Sequence, residues 1–286
     1  MYKTRHAVFF LIVPVLLFMV FILLPAISAF FLSFTSYNIF DPIEWVWFDN
    51  YKEALQDSDF WNALGNTVLF WVLATPTLVI MPIFVAVLAN QKVRGIRVFR
   101  LIFYFPVLVS VVVTAILWRW MFNLDGILNY FLSVFNLPAV EWLTSPEMVI
   151  PSMALVTIWS GFGYYTLFYL AGLQTVPKDL YEAAELDGAG FFKKHLYITI
   201  PMLRPVIFFV SVISTMGAFK EFTLMLTMTN GGPLDASTTV VLLVFKEAFQ
   251  GLNMGYASAV SFLLFLFILV LTLINEKFID RNPSGD

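Results

Sequence analysis

The chain has 286 residues, of which 60% are hydrophobic and only 12% charged, against roughly 25% charged in an ordinary soluble domain. A net charge of −3 without a basic run leaves no electrostatic footprint for nucleic acid. The absence of cysteine excludes disulfides, thiolate metal sites and a cysteine nucleophile, and His6 and His195 are too far apart in sequence to pair as ligands at helical spacing.

A bilayer core of about 30 Å takes roughly 20 predominantly apolar residues per helix, because the backbone must satisfy its own polar groups there. Six stretches qualify, at about 7–34, 66–89, 98–122, 148–173, 205–228 and 256–274. The first is too long for a signal-peptide core and lacks a small-residue cleavage site, so it is expected to remain as a span. The acidic connection after it carries Trp45, Trp47, Tyr51 and Trp61, residues that favour the headgroup level. Twelve of the 16 Lys and Arg residues fall at the two ends and in the second and fourth connections. Cytoplasmic loops carry that excess, which predicts an all-α membrane protein of six transmembrane helices with both termini cytoplasmic. No soluble stretch is long enough for a separate domain, so 1–286 is expected to be one membrane domain with a cytoplasmic loop at about 174–204.

The densest charge lies in that fourth connection, YEAAELDGAGFFKKHLYITIP from Tyr181 to Pro201. Asp179, three residues before Glu182, reads as a capping-box-like start. Gly188 suits the left-handed position that ends a helix, and a second helical stretch is expected to stop at Pro201. Glu182 and Glu185 share a face, with alanines beside them that permit close approach of another surface. From the residues alone two readings stand. Glu182 caps its own helix while the lysines set orientation, or the loop docks a partner.

The spacing of Glu182-Ala183-Ala184, three residues, Gly188, nine residues and Ile198-Thr199-Ile200-Pro201 resembles the EAA loop of importer permeases in the ATP-binding cassette (ABC) family, with Ile200 in place of leucine. WSGF at 159–162, LTMTNGGP at 226–233 and the early LSFTSYN, FDNY and LGNT are similar to the carbohydrate-importer branch. The chain looks like the first permease of a heterodimeric pair, as in maltose-type and glycerol-phosphate-type systems. The resemblance implies a type I importer permease fold in the bacterial cytoplasmic (inner) membrane, with a second permease subunit, two cytoplasmic ATPases and an extracellular solute-binding protein as partners. It also implies that Glu182, Ala183, Ala184, Glu185, Asp187, Gly188, Phe191, Phe192 and Pro201 couple the chain to an ATPase. The chain itself carries no phosphate-cradling GxxxxGK[ST] and no convergent acid, base and nucleophile. It is therefore expected to be non-catalytic and to bind no cofactor, with ATP and Mg held by the ATPases.

The same resemblance implies sugar contacts on the third to fifth spans at Ser110, Thr157, Trp159, Ser160, Gly161, Ser214, Gly217 and Ala218, although small and hydroxyl residues also serve helix packing. Lys220 and Glu221 are unusual intramembrane charges that face either an aqueous path or, by snorkelling, the outer water. Import of a glycerol phosphate or polyol shares this architecture, and a receptor or scaffold without transport is the reading from another class.

Overall fold

The computed structural model describes residues 4–91 and 94–279. Lys3, Lys92 and Arg281, which enter the charge count, and both ends of the expected 1–286 domain lie outside the described residues. Among those described there is no strand beyond an isolated antiparallel bridge of Thr35 with Trp45. Among the described residues five helices are long and apolar enough to cross a membrane: Phe10–Leu32, Ser58–Ala89, Val149–Leu173, Arg204–Met228 and Met254–Lys277. A sixth is obtained if Ile96–Leu108 and Val111–Met121, bent by 98° at their junction, count as one span.

The chain forms two compact units. The first comprises Met1–Trp61 and Leu243–Leu266. Its opening helices α1 (Thr4–Phe18) and α2 (Leu24–Leu32) are joined by a π-turn at Met19–Leu23. Pro25 stands just after that turn, which makes room for a ring that would clash with a regular α-helical carbonyl. None of the apolar window in Phe10–Leu32 is buried against the protein, as expected of a helix that meets hydrocarbon. Helix α3 (Asp49–Gln56) is held by Asn50, whose Nδ2 donates to the carbonyls of Ser33 and Thr35 at 2.9 Å each. Gly255 lies against the same Thr35 carbonyl, where a Cβ would come within 2.0 Å, so no larger residue fits.

Asp57 then starts α4 (Ser58–Ala89) by accepting the Asp59 N–H at 2.9 Å. That cap carries the helix eight residues earlier than the apolar run alone predicts.

The second unit comprises Asn62–Leu242 and Phe267–Asp286. It contains most of α4 and then α5 (Ile96–Tyr104), α6 (Val111–Met121), α7 (Ile127–Val134), α8 (Val149–Leu173) and α9 (Lys178–Leu186). After these come α10 (Phe191–Lys194), α11 (Ile200–Met202), α12 (Arg204–Phe219) and α13 (Thr223–Met228). Helix α14 (Val240–Phe245) and α15 (Met254–Ile279) each have residues in both units. The core of the second unit is built around α8, with Ile150, Met153 and Tyr169 buried together with Phe70 and Phe219. The Tyr169 hydroxyl donates to the Val79 carbonyl at 3.0 Å, in the turn that Pro82 weakens inside α4.

Two expected spans are not single straight helices. Between α5 and α6, a 3₁₀ turn at Phe105–Leu108 with Pro106 in its first turn breaks the third span, and Ser110 opens α6 in an extended conformation. The fifth is interrupted at 220–222, because Lys220 closes α12 and a second helix starts at Thr223.

Candidate coupling loop and solute path

Helix α9 begins at Lys178 because Pro177, with its fixed φ and extended ψ of 132°, occupies the N-cap position. Asp179 therefore lies in the first turn and makes no capping hydrogen bond, contrary to the capping-box expectation. The helix ends as the sequence predicts. Gly188 takes φ +76°, its N–H meets the Glu185 carbonyl at 3.0 Å, and the Ala189 N–H meets the Ala184 carbonyl at 2.8 Å. This is the paired closure of a Schellman turn, which needs a left-handed residue at that place.

Pro201 is not the stop. A π-turn at His195–Thr199 precedes it, as before Pro25, and the helical run continues through Met202. The chain turns instead at Leu203, which is buried.

The two arms are tied by Thr199, which is fully buried: its Oγ1 lies 2.7 Å from the Tyr181 hydroxyl and 2.8 Å from His195 Nδ1. Lys194 forms an ion pair with Glu185. Glu185 is thereby engaged inside the loop, whereas the exposed Glu182 carboxylate has no hydrogen bond or ion pair to the described residues. Ala183 and Asp187 are also exposed, Leu186 is 91% exposed, and Ala184 is half-buried. Phe191 packs on the His195 ring at 4.4 Å, while Phe192 is 83% exposed. Both rings line an apolar groove with Phe84 and Leu88 of α4. Burial, followed by the neighbouring Lys194 ammonium, lowers the His195 pKa from its ordinary value.

The expected solute-path residues divide into groups. Trp159 is 40% exposed and packs on Trp118 at 5.5 Å, so α6 and α8 share an aromatic wall. On α8, the Ser160 hydroxyl donates to the Thr157 carbonyl at 3.2 Å. Gly161 is in ordinary contact distance of Leu78, and Ser110 is exposed at the bend. Ser214 is buried and its hydroxyl is used by its own helix, donating to Val210 at 2.7 Å. Ala218 is buried in packing, whereas Gly217 is exposed and faces the Tyr165 hydroxyl.

Lys220 is exposed at the end of α12. Glu221 has a definite local partner: its carboxylate accepts the Leu224 N–H at 2.9 Å and so caps α13.

Two features escape a reading by spacing. The Tyr165 hydroxyl, beside Gly217, makes no hydrogen bond to the described residues. Trp71, Thr215, Ser211 and Asn275 line one cavity, with the Trp71 indole donating to Thr215 at 3.0 Å and Asn275 to Ser211 at 2.7 Å. Asn275 stands beside Glu276 and Lys277 at the polar end of α15, so no local signal in the sequence sets it apart.

The chain is similar along most of its length to known transport proteins. It is 34% identical over 265 residues to the probable ABC transporter permease protein YesP of Bacillus subtilis, covering 91% of this chain and 85% of that protein. It is 32% identical to the trehalose/maltose transport system permease protein MalF of Thermococcus litoralis, covering 96% and 94% respectively. Its fold matches a chain in the crystal structure of a bacterial ABC transporter involved in the import of the acidic polysaccharide alginate, with TM-score 0.85 at 24% identity and 98% of each chain covered. Residues 54–282 match the family described as binding-protein-dependent transport system inner membrane component, and the chain belongs to that family.

Proposed function

We propose that this chain is a non-catalytic permease subunit of a sugar importer in the bacterial cytoplasmic membrane, with both termini cytoplasmic. It works with a second permease, two ATPases that hold ATP and Mg, and an extracellular solute-binding protein. The observation that carries the reading is the hairpin of α9 and α10. It is closed by the Gly188 turn and tied at Thr199, and it presents the unpaired Glu182 carboxylate beside Ala183 and the exposed Leu186. A charge framed by small and apolar residues suits insertion into a cleft of a soluble motor. Approach of the two ATPases would draw such hairpins together and rock the spans between two openings around a central path. The sugar assignment is supported by relatives named for trehalose and maltose, for lactose and for arabinooligosaccharides.

A relative named for sn-glycerol-3-phosphate transport, 29% identical over 98% of this chain, keeps that solute as the second reading. The test is reconstitution with the partner subunits in proteoliposomes. ATP-dependent uptake of a radiolabelled sugar that glycerol phosphate does not compete supports the proposal. Failure of the ATPase to co-purify with the permease would falsify it.

A further inference from the structure

At the end of α8 away from the coupling hairpin, the segment after α6 folds against the segment before α8 and bounds a cavity of about 610 Å³. Ligand pockets commonly fall at about 300–1,000 Å³. One buried side chain organises the walls. Asn129 Nδ2 donates to the carbonyls of Asn123, Leu124 and Val140 at 3.1–3.3 Å, and its Oδ1 accepts the Val140 N–H at 3.0 Å and the Trp142 indole N–H at 3.1 Å. Ser152 holds the Trp142 carbonyl at 2.8 Å, and Phe122 supports the Trp142 ring at 5.4 Å. A third wall, at Thr229 and Gly232, is fixed by Ser237, which meets the Thr229 hydroxyl at 2.7 Å and the Gly232 carbonyl at 2.6 Å.

Three charged side chains line this frame without serving it. Arg119, Asp125 and Glu141 are exposed and make no ion pair or side-chain hydrogen bond to the described residues. A half-buried indole with acceptors and a forked donor around it is the chemistry of saccharide recognition. The ring covers a C–H face, the carboxylates accept hydroxyl protons and the guanidinium donates to ring and hydroxyl oxygens.

We propose that this cavity is an outer binding station for a sugar unit, separate from the path residues on the spans. The proposal rests on the sugar-importer reading given above, which places this end of α8 outside the cell. Concavity and the indole wall favour a saccharide over a protein loop, which charges of both signs would also fit.

The experiment uses the complete transporter in nanodiscs without its binding protein. Saturation-transfer NMR is run with a panel of neutral and uronate mono- to tetrasaccharides. The proposal expects transfer to at least one saccharide, and at least about tenfold weaker binding in the Asp125→Asn, Glu141→Gln double variant, as for loss of two hydrogen bonds to charged groups. An unchanged melting temperature and retained ATPase show that the variant is assembled; if it is not, Arg119→Gln alone serves as the variant. No transfer to any sugar by the wild type, or equal transfer in an assembled variant, overturns the station. So does weakened docking of the sugar-free binding protein with sugar transfer intact, which makes the cavity a protein contact. Loss of ATPase from the wild-type complex instead counts against the importer reading.

Discussion

The Tyr181 hydroxyl and Thr199 Oγ1 lie 2.7 Å apart and join the two arms of the α9–α10 hairpin, with His195 Nδ1 on the same oxygen. The buried threonine, whose one hydroxyl can both donate and accept, thus ties the arms beside the Glu185–Lys194 ion pair. Thr199→Val keeps the shape, leaves two polar partners unmatched, and is expected to destabilise the hairpin by about 1–3 kcal/mol. Hydrogen exchange of the 178–202 amides measures this. Protection equal to the wild type would mean that Thr199 does not hold the arms.

The His195 environment gives the hairpin a pH dependence of known sign. Burial, then Lys194, lowers its pKa in the folded chain, so the unfolded chain binds the proton more readily. The contribution of the neutral imidazole is fully present above the unfolded value of about 6.5 and declines as pH falls through and below it. Wild type is expected to lose melting temperature faster than His195→Gln between pH 7.5 and 5.5. Parallel melting curves for the two proteins would remove His195 as the cause.

Glu182 and Glu185 are expected to respond differently to mutation although both stand in the same motif. Glu185 is paired with Lys194, while Glu182 is exposed and unpaired. Glu182→Lys should reduce ATPase co-purification and uptake roughly tenfold or more, the scale of losing one partner of a desolvated charge pair. Glu185→Gln should cost less than about 1 kcal/mol of hairpin stability, since the Glu185 carboxylate is largely exposed and the amide oxygen can still accept from Lys194. Comparable uptake losses in the two variants would contradict this division.

At Glu221 a structural role competes with a place in the solute path. Its carboxylate caps α13 through the Leu224 N–H. Glu221→Ala is expected to destabilise by about 0.5–2 kcal/mol, and Glu221→Gln by less, because the amide oxygen can still accept. Thermal melts and the sugar concentration for half-maximal uptake separate the roles. A shifted half-saturation with an unchanged melt would place Glu221 in the path.

Two glycines of α8, two residues apart, should differ sharply. A Cβ on Gly163 would lie 2.2 Å from the Phe103 carbonyl oxygen, whereas on Gly161 the nearest atom is a Leu78 methyl at 3.5 Å. Gly163→Ala should cost about 1–3 kcal/mol by forcing the backbones apart, while Gly161→Ala fits. Detergent melting curves decide it, and equal stability of the two variants would show that α5 and α8 can separate freely.

Five of the long apolar helices were legible because apolar length is a property of the sequence taken one segment at a time, whereas the 98° break in the expected third span was not. Gly188 was legible for a similar reason: a left-handed helix end falls almost wholly to one residue type. Asp179 misled, since Pro177 takes the N-cap place that starts α9 and leaves the aspartate as the second residue of the first turn. Pro201 misled as well, because a π-turn can absorb a proline that a regular α-helix cannot. The meeting of Trp71 with Thr215, and of Ser211 with Asn275, joins positions 144 and 64 residues apart, and no local spacing encodes it.

The corner between α5 and α6 has a mechanical consequence. Backbone contact at Gly163 fastens α5 to α8, and α8 leads into the α9–α10 hairpin, while a 98° bend separates α5 from α6. A pull on the hairpin would carry α5 along like a rod bolted to its neighbour, and the corner at Ser110 would act as a clutch. Such a corner would let α5 shift while α6 stays seated against α13.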